Sequence, residues 1–227
     1  MMTVSGSSYT TKELSAETWK DFERLFSKHG GVQAGCWCMF YHRARPISAK
    51  DEERVNPLGS APLDLARGRR DRPLGSAPLD LARGRRASRN RRDKKALVRS
   101  GESHGILVYS GDQPVGWCQF GPQEELPRID AGRNYRKLKL AADGGRWWRI
   151  TCFFVDRDFR RRGVADLALQ AAMDAIRERG GGIVEAYPVT NKRAVPIWFG
   201  TVRMFERKQF QKIADLGRSN IVMRRRV

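Results

Sequence analysis

Apolar residues recur along this chain with two different periods, and the places where the period changes mark its elements. Over residues 15 to 28, SAETWKDFERLFSK, the side chains of Trp19, Phe22, Leu25 and Phe26 fall at helical spacing behind a serine suited to capping and an acidic first turn. A helix is predicted there. The segment GILVYSGDQPVGWCQFG switches to alternation, with Ile106 and Val108 before the turn residues SGDQ and Val115 and Trp117 after them, which predicts a hairpin. WWRITCFFV, residues 147 to 155, is rich in β-branched and aromatic side chains and reads as a strand. The helical period returns in VADLALQAAMDAIRERG, where Leu169, Met173 and Ile176 share one stripe and Gly180, Gly181 and Gly182 form the stop. GIVEAYPV is the next strand, residues 196 to 208 make a short helix carrying Trp198, Met204 and Phe205, and QKIADL and SNIVMRRRV close the chain as a strand pair.

Three stretches are less regular. Residues 88 to 100 read as a helix with charged faces, and residues 121 to 147 as a polar connection whose length suggests a functional loop. In GGVQAGCWCMFYHR a glycine hinge precedes a run of large or apolar side chains from Trp37 to Tyr41, which suits either a buried strand or a pocket wall. An early antiparallel hairpin and a late β-α-β unit make the chain an α/β or α+β protein, and 227 residues suffice for one domain with a buried core.

One segment departs from the pattern. PLGSAPLDLARGRR at 57 to 70 recurs unchanged at 73 to 86, after the spacer DR. Two copies with few leucines cannot stack into a solenoid, so residues 57 to 86 are expected to be a mobile or weakly helical insertion in a single domain spanning 1 to 227. From 57 through Lys95 the chain holds twelve Arg or Lys against four Asp. Such a segment is a solvated basic loop or a tether for nucleic acid.

Charge then widens the choice of partners. Forty-four Lys and Arg against 25 Asp and Glu give +19, a surface that attracts nucleic acid, acidic membranes or phosphorylated cofactors. The N-terminus lacks a secretory apolar core and no window of about 18 apolar residues occurs, so the expected location is cytoplasmic, without a membrane partner. Cys36, Cys38, Cys118 and Cys152 lie in segments that read as core and are expected as reduced thiols. CWC with His42 lacks a second ligand pair at zinc spacing, so no metal is expected.

The stretch FFVDRDFRRRGVADLAL, residues 153 to 169, sets four arginines and a glycine directly before a helix. A helix start exposes unpaired N–H groups and the positive end of a dipole, which favours an anion by about 0.3 to 2 kcal/mol. Gly163 lets a phosphate approach the backbone, Ala165 keeps the next turn small, and Arg160, Arg161 and Arg162 add charge. A pyrophosphate suits this knot better than a duplex, because the following helix carries arginines only at its far end, Arg177 and Arg179. Neither GxxxxGK[ST] nor GxGxxG is present.

Strand, then Arg160-x-x-Gly163-x-Ala165, then an amphipathic helix resembles the acyl-coenzyme A motif R/Q-x-x-G-x-G/A of the GNAT family of N-acetyltransferases. The order of elements from about residue 88 onward agrees with that family's. The resemblance implies a mixed, mostly antiparallel central sheet flanked by helices, and acetyl-CoA as acyl donor. Its pyrophosphate would lie on the turn formed by Arg160, Arg161, Arg162, Gly163, Val164 and Ala165, and its pantetheine arm along the strand end at Phe154 and Val155. The implied reaction is direct transfer of an acetyl group to a primary amine, often in a homodimer. The family's base is often a strand carboxylate and its acid a tyrosine. Here WWRITCFFV carries no Asp or Glu, and Phe205 in MFERKQF stands at the tyrosine's position. Glu185 as base and Tyr187 as acid, on alternate positions of one strand, are the substitutes. The competing reading is an inactive acyltransferase-like binding module whose basic segment, 57 to 95, holds nucleic acid.

Overall fold

The computed structural model describes residues 2–4, 7–43, 77–140, 144–190 and 198–227. The first copy of the repeat lies outside the described residues, as does the start of the second. From Ala77 the second copy is already helix, so the helix expected at 88 begins eleven residues earlier.

Among the described residues eight strands form one sheet: β1 (Met2–Val4), β2 (Ser7–Glu13), β3 (His104–Ser110), β4 (Gln113–Pro122), β5 (Trp147–Val155), β6 (Ile183–Ala186), β7 (Gln211–Leu216) and β8 (Asn220–Arg226). Their spatial order is β1-β2-β3-β4-β5-β6-β8-β7. Every pairing is antiparallel except β5 with β6, which are joined by the right-sized crossover for a parallel pair, the helix Val164–Glu178. The remaining helices are α1 (Trp19–Lys28), α2 (Ala77–Arg99), α3 (Arg128–Ala131), α4 (Arg133–Lys137) and α6 (Val202–Glu206), with Val164–Glu178 as α5.

The hairpin, the β-α-β unit and the closing strand pair fall where the hydrophobic pattern puts them. Strand β2 has no apolar run to announce it. Tyr9 is buried while Thr10 and Lys12 are exposed, and the strand is held by pairing with β3 from Tyr9↔Ser110 to Glu13↔Ile106. The segment after α1 is a pocket wall and not a strand, because its glycines and the left-handed residues Val32, Trp37 and Cys38 coil it back on itself. The polar connection before β5 carries the short helices α3 and α4.

Helices cover both faces of the sheet. On one face α5 buries Ala168, Leu169, Ala172, Met173 and Ile176 against the sheet, each large side chain contributing about 1.5 to 3 kcal/mol on burial. On the other, α1 brings Trp19, Phe22, Leu25 and Phe26 against Trp37 and Trp117, with Phe22 4.8 Å from Trp117 between ring centroids. A contact between α5 and β4 sets the height of the basic turn. A Cβ on Gly116 would lie 2.4 Å from Cγ1 of Val164, so a glycine there lets the first turn of α5 settle directly on the strand.

Candidate active site

Strands β5 and β6 pair only over Trp147–Ile150 and Ile183–Ala186, after which β5 runs on to Val155 with β4 as its only strand partner. The opened edge borders a cavity of about 640 Å³. Cys152, Phe153, Phe154 and Val155 form one wall, and Arg160, Arg161 and Ala165 close one end. The opposite end is lined by Cys36, Cys38, Phe40, Tyr41, Gln119 and Trp198. Backbone alternation turns Phe153 and Val155 toward the open side. There Phe153 donates its N–H to the carbonyl of Trp198 at 2.5 Å, and the Val155 carbonyl accepts from Nε of Arg160 at 3.2 Å.

The basic turn is built for an anion by its backbone. Arg161 has φ 60° and Gly163 φ 78°, so the chain curls left-handed immediately before α5. Gly163 occupies the N-cap position and offers no side chain to the helix's first N–H groups, leaving them for a ligand. The acidic residue of that first turn, Asp166, is engaged by Arg207 at 2.5 Å. Arg160 and Arg161 are exposed, and both line the cavity mouth. Arg162 instead lies over the Phe159 ring, 5.6 Å from its centroid, and Val164 is buried in the core beneath the turn. A left-handed turn, a capless helix start, two arginines and an apolar slot with an open strand edge fit the pyrophosphate and arm of acetyl-CoA.

The far end of the cavity is polar behind an apolar front. Gln119, fully buried on β4, donates from Nε2 to the Cys38 carbonyl and to His42 Nε2, both at 2.9 Å, and accepts from Thr151 at 3.2 Å. His42 Nε2 also receives Nζ of Lys94 at 3.1 Å and Oγ of Ser103 at 3.3 Å, while Nδ1 lies 2.9 Å from the Glu125 carbonyl. Those partners define a neutral ring with its proton on Nδ1. Burial, reinforced by the Lys94 charge, pushes the imidazole down to about 2. Burial likewise lowers Lys94 to about 8.

Glu185 and Tyr187 do come together, the phenol donating to the carboxylate at 2.5 Å, but neither borders the cavity. Both are fully buried. The same carboxylate accepts from Tyr135 at 2.7 Å and from Arg224 at 2.8 Å, the latter on β8 directly across from β6. A general base needs a lone pair within reach of the substrate's proton, and this carboxylate spends its oxygens on three internal donors. Burial drives the Tyr187 phenol far above its usual value, which makes it a steady donor and a reluctant acid. Phe205 packs in the core 5.1 Å from Phe210 and 6.1 Å from Phe153, ring to ring.

Sequence reasoning singled out the turn and the strand end, took the cysteines as core thiols although Cys36, Cys38 and Cys152 line the cavity, and passed over Gln119. A glutamine inside the apolar run GWCQF was the available signal. Of the segments read as a pocket wall or a functional loop, the first contributes Val32, Gln33, Cys36, Cys38, Phe40 and Tyr41 to the cavity lining, whereas the described part of the 121 to 147 connection does not border it. Among the described residues no cluster of three or more His, Cys, Asp or Glu is placed to hold a metal, and no helix is long and apolar enough to cross a membrane.

No curated protein matches the chain in sequence. Among solved structures it is similar to a GNAT-family protein of Desulfovibrio desulfuricans, at 12% identity over 96% of this chain and 99% of that one, with a TM-score of 0.48. The PaiA N-acetyltransferase of Thermoplasma acidophilum, solved with coenzyme A, gives 8% identity over 97% and 99%, with a TM-score of 0.47. An N-acetyltransferase of Staphylococcus aureus gives 9% over 97% and 98%, with a TM-score of 0.46. The model of the acetyltransferase (GNAT) family matches residues 75–200, more than half of the chain, from α2 through β5, the basic turn, α5 and β6. The chain therefore belongs to the GNAT family of acetyltransferases.

Proposed function

We propose that this protein transfers an acetyl group from acetyl-CoA directly to a primary amine held at the aromatic end of the cavity. The observation that carries the reading is the continuity of one cavity from Arg160, Arg161 and Ala165 around the basic turn, along the stretch of β5 beyond β6, to Phe40, Tyr41 and Trp198. When bound, acetyl-CoA supplies an activated thioester carbonyl. The N–H groups opening α5 hold the pyrophosphate, and Arg160 and Arg161 offset its charge. The β5 edge orients the arm, and the apolar wall excludes water from the thioester.

Glu185 and Tyr187 are not assigned the proton transfer in this proposal, because neither borders the cavity that would hold the amine. Their geometry supports a different service, fixing β6 against β8 and α4 behind the site.

Calorimetry of acetyl-CoA against the purified protein at moderate salt, beside Gly163→Asp, tests the reading. Micromolar binding that the variant loses supports it, and a panel of amines then identifies the acceptor. No binding by either protein overturns it and turns attention to the exposed arginines of α2, whose affinity for nucleic acid would fall steeply with salt.

A further inference from the structure

Cys38 and Cys152 stand at the same cavity wall with their sulfurs 3.5 Å apart, although 114 residues separate them in the chain. Nothing in acetyl transfer uses them. The approach is held in place at some cost. Trp37 and Cys38 are consecutive non-glycine residues in left-handed backbone, φ 48° and 52°, a conformation that costs about 1 kcal/mol or more at each. The bend delivers the Cys38 sulfur to the indole N–H of Trp117, which donates to it at 3.1 Å. Lys94 is fully buried nearby, 5.6 Å from the Trp117 ring centroid. Burial raises the Cys38 thiol, and the Lys94 cation opposes that rise. Access differs between the two sulfurs: Cys152 is half-buried on the open strand, while Cys38 is buried at 3% exposure.

We propose that Cys152 and Cys38 are an oxidative modification site, in which a hydroperoxide entering the cavity oxidises Cys152 and Cys38 resolves it to a disulfide. The Cys152 thiolate attacks the nearer peroxide oxygen, the O–O bond breaks, and hydroxide leaves from a sulfenic acid. The Cys38 sulfur then attacks the Cys152 sulfur, and the hydroxyl departs with the Cys38 proton as water. Two electrons pass from the thiol pair to the peroxide, leaving one disulfide and, once the hydroxide takes up a proton, two waters in all for hydrogen peroxide. Closing the bond shortens the separation from 3.5 Å to about 2 Å, a shift of about 1.5 Å at the wall of the cavity. That the change would impede acetyl transfer rests on the function proposed above; the modification itself does not.

The test treats the whole purified protein with hydrogen peroxide, alkylates the remaining thiols, and maps the digest by mass spectrometry. Of four cysteines, two are expected to be lost to alkylation and recovered with dithiothreitol, in a peptide joining Cys38 to Cys152. Cys36→Ser should form the same cross-link. Cys38→Ser should leave Cys152 as a dimedone-reactive sulfenic acid that over-oxidises irreversibly, and Cys152→Ser should leave Cys38 reduced. A wild-type protein without the cross-link, or one that joins Cys36 in its place, overturns the proposal. Acetyl-CoA calorimetry on the reduced protein separates the two readings. A cross-link without coenzyme binding upholds the modification site and removes the transferase, and binding without a cross-link does the reverse.

Discussion

The two ends of the cavity are made differently. The end proposed for the pyrophosphate is a single turn, Arg160 to Gly163, whose backbone curls left-handed, whose arginines are exposed, and whose groups are neighbours in sequence. The other end gathers Cys36, Cys38, Gln119, Cys152 and Trp198 from four separate segments, over a largely buried network of His42, Lys94, Ser103 and Thr151. A ligand at the first end replaces solvent around groups that already stand free. Any change at the second end disturbs polar groups that have no water to fall back on. Substitutions at the turn should therefore change binding, and substitutions in buried networks should change stability.

Gly163→Asp is the severest test of the first half. A carboxylate at the cradle repels the pyrophosphate, and the left-handed φ of 78° is strained for a side chain by about 1 kcal/mol. Acetyl-CoA affinity should fall beyond calorimetric detection, with only a small drop in melting temperature. A collapse of the fold instead would break the comparison.

Glu185→Gln should show the opposite signature. Removing the charge leaves Arg224 facing a neutral partner at a buried site, a loss of about 3 to 5 kcal/mol by urea unfolding. Activity per folded molecule should be nearly unchanged. A fall in kcat with an altered pH profile and intact stability would instead restore Glu185 as the base.

The His42 network makes a prediction in pH. Its folded-state value of about 2 lies below the ordinary 6.5, so the unfolded chain binds a proton that the folded chain refuses. This contribution to stability is present above pH 6.5 and is lost progressively as pH falls toward 2. Thermal melts across that range should show a shallower acid decline for His42→Asn than for the unaltered protein, even though the variant starts less stable.

Arg160→Ala combined with Arg161→Ala is the mildest case. Both side chains are exposed and screened, so together they should weaken acetyl-CoA binding about tenfold and leave melting unchanged. The residual affinity should depend less on salt than that of the unaltered protein.

The same contrast explains what could be read in advance. The R-x-x-G-x-A turn was legible because its shape depends on adjacent residues: a strand end, a glycine that tolerates positive φ, and a helix start. Helix α1 was legible from Trp19, Phe22, Leu25 and Phe26, though the helix begins at Trp19 and not at Ser15. The Ser15 hydroxyl accepts N–H groups from Glu17 and Thr18 and turns the chain just ahead of it. Strand β2 was not legible, since its partner β3 lies almost a hundred residues away and supplies what its own polar sequence lacks. Glu185 and Tyr187 show the limit of spacing: it placed them side by side, and no spacing rule states that Tyr135 and Arg224 will also claim the carboxylate.

Periodicity, glycine placement and one short motif by themselves determined the mixed fold, the hairpin, the β-α-β crossover and the basic turn that opens α5. These rest on interactions within a few residues or on the burial of one face of one element. Only the tertiary structure decided that Gln119 and Cys152 share a cavity with Cys38, that Lys94 is buried beside His42, and that Glu185 is tied to Arg224 and Tyr135 away from the cavity. Those outcomes depend on how far β5 diverges from β6 and on which distant segment fills the gap. That is settled by packing of the whole sheet and its helices, where no residue's own neighbours in the chain carry the information.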